Sequence, residues 1–248
     1  MRRYPSRSVY ASSFSFGPGP LSTAIKALII ANVAVFFAQP FLPILTRVWG
    51  LQPYLVVRGW IWQPATYMFL HGGLFHILFN MLALWMFGTE LERTWGTTYF
   101  LKFYFVTGIG AGLLTVAFSL LPFDVARQIY AANVIGASGA IYGLLLAYGL
   151  YFPDRPILLL FFPVPAKICV LILGLIALYS SVVGAGGGVA NATHLGGLLV
   201  GYLYLKGRRI DPLAELKYRY LKWKINRVRK KFDVYSGGRA DDWDRRVH

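Results

Sequence analysis

The chain has 248 residues, 56% hydrophobic, 17% aromatic and 14% charged, with a mean hydropathy of +0.52. That is too apolar for one soluble domain to bury and the reverse of the charge-rich composition of a disordered chain. A single cysteine, Cys169, excludes a disulfide scaffold and a thiolate zinc cluster. The net charge of +15 is concentrated late: 14 of the 25 Lys and Arg, with 6 of the 10 Asp and Glu, lie from Lys206 onward. A basic end beside long apolar runs reads as a cytoplasmic flank and not as a nucleic-acid footprint, so no nucleic-acid partner is expected. What remains is a polytopic membrane protein, and helix-length apolar runs make it all-α in expectation.

A bilayer core of about 30 Å takes about 20 helical residues, and six segments reach or approach that length. The first runs from Ser22 to Gln39 and closes at Pro40 and Pro43. A long connection follows, carrying Trp49, Tyr54, Trp60 and Trp62 with few charges, and is expected among lipid headgroups. The second span, Leu74 to Leu91, carries Glu90 and Glu92 at its inner end, where water is expected to be available. The third runs from Tyr99 to Leu121 and closes at Pro122; the fourth runs from Ser138 to Phe152 and stops at the Pro153–Pro156 turn. The fifth spans Ala166 to Val183, a glycine loop covers Gly184–Gly188, and the sixth spans Ala190 to Leu205. From Asp211 to Phe232, Leu221, Ile225, Val228 and Phe232 recur at helical spacing among basic residues, predicting a surface helix on anionic lipid. The expected organisation is a cytoplasmic segment 1–21, a six-helix domain 22–205 and a basic cytoplasmic tail 206–248. The Lys and Arg bias puts both termini inside. The compact six-span plan, with no transit-peptide pattern ahead of it, makes a prokaryotic plasma membrane the expected location.

Strongly polar groups inside spans are costly and mark packed contacts or function. Here they are few. His76 and Asn80 share one face of span two, with His71 just before it. Ser138 opens span four, with Tyr142 one turn later, and His194 lies in span six. Gly197 and Gly201 share the His194 face, and Gly139 and Gly143 offer a matching surface on span four, so the two helices can pack backbone to backbone. That packing brings Ser138 and His194 within hydrogen-bond reach. Span four is short: fifteen residues reach about 22 Å, which sinks Ser138 below the outer hydrocarbon edge. The non-helical Asn133–Ala137 before it must then line a cavity or be buried in protein. A hydroxyl at a helix N-terminus, beside free N–H groups, is a sensible nucleophile position. Taken singly, Ser138 also fits a packing residue or cap, His194 a satisfied buried histidine, and His76 with Asn80 a plain interhelical contact. Together they supply what acyl transfer requires.

These motifs resemble those of the rhomboid intramembrane serine proteases. Gly136-Ala137-Ser138-Gly139 is similar to the family's GxSG motif, and His71, His76 and Asn80 fit its HxxxxHxxxN signature. Thr193-His194-Leu195-Gly196-Gly197 resembles its AHxxG element, and Glu90-Leu91-Glu92-Arg93 followed by Gly96 its ExxxG stretch. The resemblance covers Ser22 to Leu205 on a six-span plan. It implies Ser138 as nucleophile and His194 as general base and acid, without a carboxylate. It also implies an oxyanion hole made by the Ser138 N–H, His76 and Asn80, with Tyr142 packed on the His194 ring and Gly136, Gly139 and Gly197 as supporting positions. Thr193 departs from the family's Ala, Gln63 follows Trp62 where an Arg is usual, and Tyr67 stands where some members carry a histidine.

The expected activity is endoproteolysis of membrane proteins in or near their transmembrane segments, with the lipid bilayer as second partner. No metal or organic cofactor is implied. The competing expectations are a catalytically inactive rhomboid-like protein that binds membrane clients, and a proton-coupled transporter, which the lack of inverted repeats and buried carboxylates argues against.

Overall fold

The computed structural model describes residues 19–159, 162–183 and 188–209, with residues 222, 224 and 227. The chain divides into two compact units, Met1–Leu205 and Lys206–His248. The expected loop at 184–187 and most of the expected tail helix lie outside the described residues.

In chain order the helices are α1 (Thr23–Ala38), α2 (Ile44–Trp49), α3 (Pro53–Val56), α4 (Gln63–Thr66), α5 (Leu74–Ala83), α6 (Thr89–Trp95), α7 (Thr97–Ser119), α8 (Asp124–Ala131), α9 (Ser138–Tyr151), α10 (Ala166–Val183) and α11 (Gly188–Arg209). A π-helical turn, Leu84–Gly88, joins α5 to α6. Among the described residues, five apolar helices fall on five of the six expected spans. Leu74–Trp95 and Thr97–Ser119, of 22 and 23 residues, are long and apolar enough to cross a membrane; Thr23–Ala38, Ser138–Tyr151 and Ala166–Ser181 are shorter apolar helices.

Local chemistry sets the boundaries. α1 and α7 end ahead of Pro40 and Pro122, which cannot donate a helical N–H. Gly96, at φ 79°, separates α6 from α7, a left-handed conformation that glycine adopts without steric cost. The core runs through the centre of the bundle: Phe100, Phe103 and Tyr104 of α7 and Leu144, Leu145 and Tyr148 of α9 join one buried cluster with Leu84, Phe87 and Leu91. Large apolar side chains also cover the outside, including Phe37, Phe75, Phe79, Leu113, Leu171, Leu175 and Leu203. An exposed apolar surface of that extent marks a lipid-facing body.

Four features differ from the sequence reading. Glu92 is not solvated: it is 5% exposed and accepts hydrogen bonds from Ser22 and, at 2.7 Å, from Thr97 Oγ1. A buried carboxylate needs such donors, and here they tie the start of α1 to the α6–α7 corner. Glu90 is half-buried and pairs with Arg155 at 3.1 Å. A short amphipathic helix, α8, follows α7 and buries Ala126 and Ile129. Past the Pro153–Pro156 turn, β1 (Pro156–Leu159) and β2 (Phe162–Pro165) form an antiparallel hairpin with Pro156 opposite Pro165. Among the described residues neither strand has a second neighbour, so prolines are tolerated there.

The connection between α1 and α5 is compact, and Gln63 organises it. Its Oε1 accepts the Gln52 N–H at 3.0 Å, and its Nε2 reaches the Arg47 and Val48 carbonyls at 3.4 Å each. The loop then clamps the segment ahead of α9. Leu51 and Val134 exchange backbone hydrogen bonds at 2.9 and 2.8 Å. Asn133 Nδ2 donates to the Thr46 carbonyl at 3.2 Å, and the Gly136 N–H donates to the Tyr67 carbonyl at 2.9 Å. The non-helical stretch before Ser138 is therefore held in protein.

Candidate active site

Ser138 is the first residue of α9. Two residues earlier Gly136 turns the chain at φ 124°, where an L side chain is strained. A Cβ on Gly136 would also stand 2.6 Å from His76 Nε2 and 3.8 Å from Ser138 Oγ. Only glycine lets the backbone pass that close to both groups.

α11 meets α9 along the expected glycine seam. A Cβ on Gly197 would fall on the Gly139 carbonyl oxygen, and one on Gly201 would lie 3.2 Å from Gly143 Cα. This approach sets His194 Nε2 2.8 Å from Ser138 Oγ, across 56 residues of sequence. The Tyr142 ring stacks on the His194 ring at 4.2 Å and 6°. Among the described residues, His194 Nδ1 is buried without a hydrogen-bond partner. A neutral imidazole that accepts the Ser138 proton at Nε2 carries its own hydrogen on Nδ1, so stacking and helix packing orient the ring where a carboxylate would do so in a triad.

His76 lies on α5, with Nδ1 accepting the Gly72 N–H at 3.2 Å and Nε2 turned toward Gly136. Asn80 is one turn further and 7% exposed. Its amide donates to the His76 carbonyl at 2.8 Å, which leaves the second amide hydrogen for another acceptor.

His71 does not join these groups directly. Its ring meets the His76 ring edge-on at 5.0 Å, and its backbone is clamped by Gln39, which accepts the His71 N–H at 2.9 Å and donates to its carbonyl at 3.1 Å. The His71 ring is buried, and burial, followed by the neighbouring His76, pushes its pKa down to about 4 against the opposing pull of the Phe69 backbone. A cavity of about 410 Å³ lined by Phe36, Gln39, Pro40, His71 and Gly72 opens beside it. That lining ends one hydrogen bond short of the His76 ring.

Gln39 carries no catalytic signature in the sequence, and its role is visible only in three dimensions. The same holds for Tyr67, whose hydroxyl donates to the Gly108 carbonyl at 2.8 Å while its own carbonyl holds Gly136. Among the described residues no group of three or more His, Cys, Asp or Glu is placed to hold a metal ion. Chemically, an imidazole nitrogen on a serine hydroxyl, beside a second imidazole and an amide, can deprotonate a nucleophile and hold a developing oxyanion.

The Rhomboid domain family model matches residues 58–208. Rhomboid protein 1, mitochondrial, of Saccharomyces cerevisiae is 37% identical over 137 residues, 55% of this chain and 38% of that protein. Rhomboid protease GluP of Bacillus subtilis is 33% identical over 133 residues, 54% of this chain and 23% of that protein. Rhomboid protease GlpG of Yersinia pestis is 29% identical over 203 residues, 79% of this chain and 66% of that protein. The matched stretch thus covers less than two thirds of each of these relatives. The family match takes in the His76, Ser138 and His194 elements in one stretch and agrees with the all-α membrane bundle: the chain belongs to the rhomboid family.

Proposed function

We propose that the chain is an intramembrane serine endopeptidase that cleaves peptide bonds in or next to transmembrane segments of other membrane proteins. The observation that carries this reading is the 2.8 Å contact between His194 Nε2 and Ser138 Oγ. Ser138 Oγ attacks the scissile carbonyl carbon as His194 Nε2 takes its proton. The tetrahedral oxyanion accepts hydrogen bonds from the Ser138 N–H, His76 Nε2–H and the Asn80 amide. On collapse, the C–N bond breaks and His194 returns the proton to the leaving amine. Water then attacks the acyl-serine, giving its proton to His194, and the carboxylate product leaves as Ser138 regains its hydrogen. Tyr142 orients the imidazole, Gly136 admits the backbone turn, and Gly139 with Gly197 keeps α9 and α11 close.

A helical substrate has its carbonyls bonded internally, so the segment unwinds locally before attack, which favours small and helix-weakening residues near the cut. The enzyme spans the bilayer as a six-helix domain, 22–205, between cytoplasmic segments 1–21 and 206–248, in a prokaryotic plasma membrane. The test is digestion of a membrane-anchored model substrate in detergent, together with labelling by a fluorophosphonate. Cleavage and labelling that vanish in Ser138→Ala and His194→Ala support the protease. Substrate binding without cleavage or labelling in the unaltered chain identifies an inactive client-binding protein instead.

A further inference from the structure

α11 carries His194, yet the surface that docks it on α9 is glycine. The Gly197 and Gly201 contacts with Gly139 and Gly143 allow close approach without interlocking side chains of their own, and further along the helix Val200 packs at Gly110 of α7, its Cγ1 2.8 Å from that residue's Cβ position. Toward α7 the neighbouring Gly196 also meets bare backbone, its Cβ position lying 3.2 Å from Ala111 Cα. Behind α11, an apolar cavity of about 770 Å³, lined by Leu114, Phe118, Leu178, Leu195 and Leu199, separates it from parts of α7 and α10. At its inner end α11 is pinned to α7 by Tyr204, whose ring lies 5.8 Å from Tyr99 and 5.6 Å from Phe103. At the His194 end, Thr193 Oγ1 lies 2.9 Å from Thr115 Oγ1 of α7. Both threonines are 1% exposed, and Thr115 Oγ1 is itself fixed by donating to the Ala111 carbonyl at 2.8 Å.

We propose that Thr193 and Thr115 are positioning residues: their hydroxyl contact sets the rotation of α11, and with it the distance from His194 to Ser138. The inference rests on the dyad reading above. Thr193 precedes His194: its hydroxyl reaches Thr115 of α7 and its Cγ2 lies 3.3 Å from the Cβ position of Gly139 on α9, while the His194 ring reaches Ser138. A 10° rotation of a helix carries a side chain about 6 Å from its axis through about 1 Å. An error of that size lengthens a 2.8 Å contact beyond hydrogen-bonding range and can cost a catalytic site up to about a hundredfold. Among the described residues the Nδ1 of the imidazole has no hydrogen-bond partner, so the position of α11 and the Tyr142 stack hold the ring. Rotation of α11 therefore reaches the chemistry directly.

The experiment compares Thr193→Val, Thr115→Val, their combination and Thr193→Ser in detergent-solubilised full chain. Valine keeps the branched shape and removes the hydroxyl. The expected result is a fall of about tenfold in kcat and in fluorophosphonate labelling for each valine variant, with KM within about twofold. The combination should cost no more than either change alone, and Thr193→Ser should restore the rate. Unchanged kcat in the folded valine variants, or losses that track only the folded fraction, would overturn the proposal. The ¹⁵N imidazole signals of His194, assigned with His194→Gln, provide a readout independent of turnover. If the unaltered chain reacts no faster than Ser138→Ala, the protease reading fails by itself. A His194 signal then shifted toward free imidazole in Thr193→Val still supports the positioning role, and an unshifted signal overturns it.

Discussion

The backbone N–H of Gly72 donates to Nδ1 of His76 at 3.2 Å, and this one bond decides what the other side of the ring can do. With Nδ1 accepting, the hydrogen of the neutral ring sits on Nε2, the atom turned toward Gly136 and Ser138. On the proposed mechanism His76 is thereby preset as a donor to the oxyanion. Asn80 differs, since its amide already serves the His76 carbonyl. The expected outcome is a kcat loss of about 10²–10³ for His76→Ala and a smaller loss for Asn80→Ala, read from initial rates on one substrate.

Gly197→Ala should be damaging out of proportion to one methyl group. The new Cβ would collide with the Gly139 carbonyl, which is backbone and cannot swing aside, whereas a Cβ at Gly207 of the same helix meets open space. Overpacking costs about 1–3 kcal/mol, and relief here requires α11 to withdraw from α9. Thermal unfolding in detergent should show a lowered midpoint for Gly197→Ala with labelling at Ser138 lost, and neither change for Gly207→Ala.

The buried Glu92 carboxylate makes a stability prediction away from the chemistry. Glu92→Ala leaves the Ser22 and Thr97 hydroxyls without their shared acceptor and should cost about 1–3 kcal/mol. Glu92→Gln, which keeps an acceptor oxygen, should cost less. Turnover per folded molecule should be unchanged in both, as measured by active-site titration beside thermal unfolding.

His71 makes the fold sensitive to acid. Burial holds its pKa at about 4 against about 6.5 in an unfolded chain. Between those values the unfolded chain binds the extra proton and the folded chain does not, so stability falls as pH falls. The contribution is complete above about pH 6.5 and is lost as pH drops toward 4. In His71→Phe this part of the pH dependence should disappear from a series of thermal midpoints between pH 7 and 4.

The helices and the site were legible where one residue type carries a strong local consequence. Pro40 and Pro122 mark helix ends, Gly136 marks a turn, and the Gly139/Gly143 and Gly197/Gly201 spacings foretell the α9–α11 seam that joins Ser138 to His194. The Tyr142 stack on His194 was implied by the family resemblance and not by spacing, which shows only that Tyr142 shares a helix face with Ser138. Other features were illegible because they depend on partners distant in sequence. Glu92 looks like a solvated end residue until Ser22, 70 positions away, is beside it. Nothing in Thr115 announces a bond to Thr193, 78 positions later. The 156–165 hairpin and α8 are too short for apolar periodicity to distinguish.

The clamp on Asn133–Gly136 carries a consequence for biosynthesis. Thr46, which braces Asn133, is made 87 residues earlier, and Leu51 and Tyr67, which hold Val134 and Gly136, also precede the strand they shape. A ribosome therefore supplies the mould before the piece cast in it. His194 emerges later still, so on the proposed mechanism a growing polypeptide is unable to cut until α11 has docked on α9 and brought His194 to Ser138.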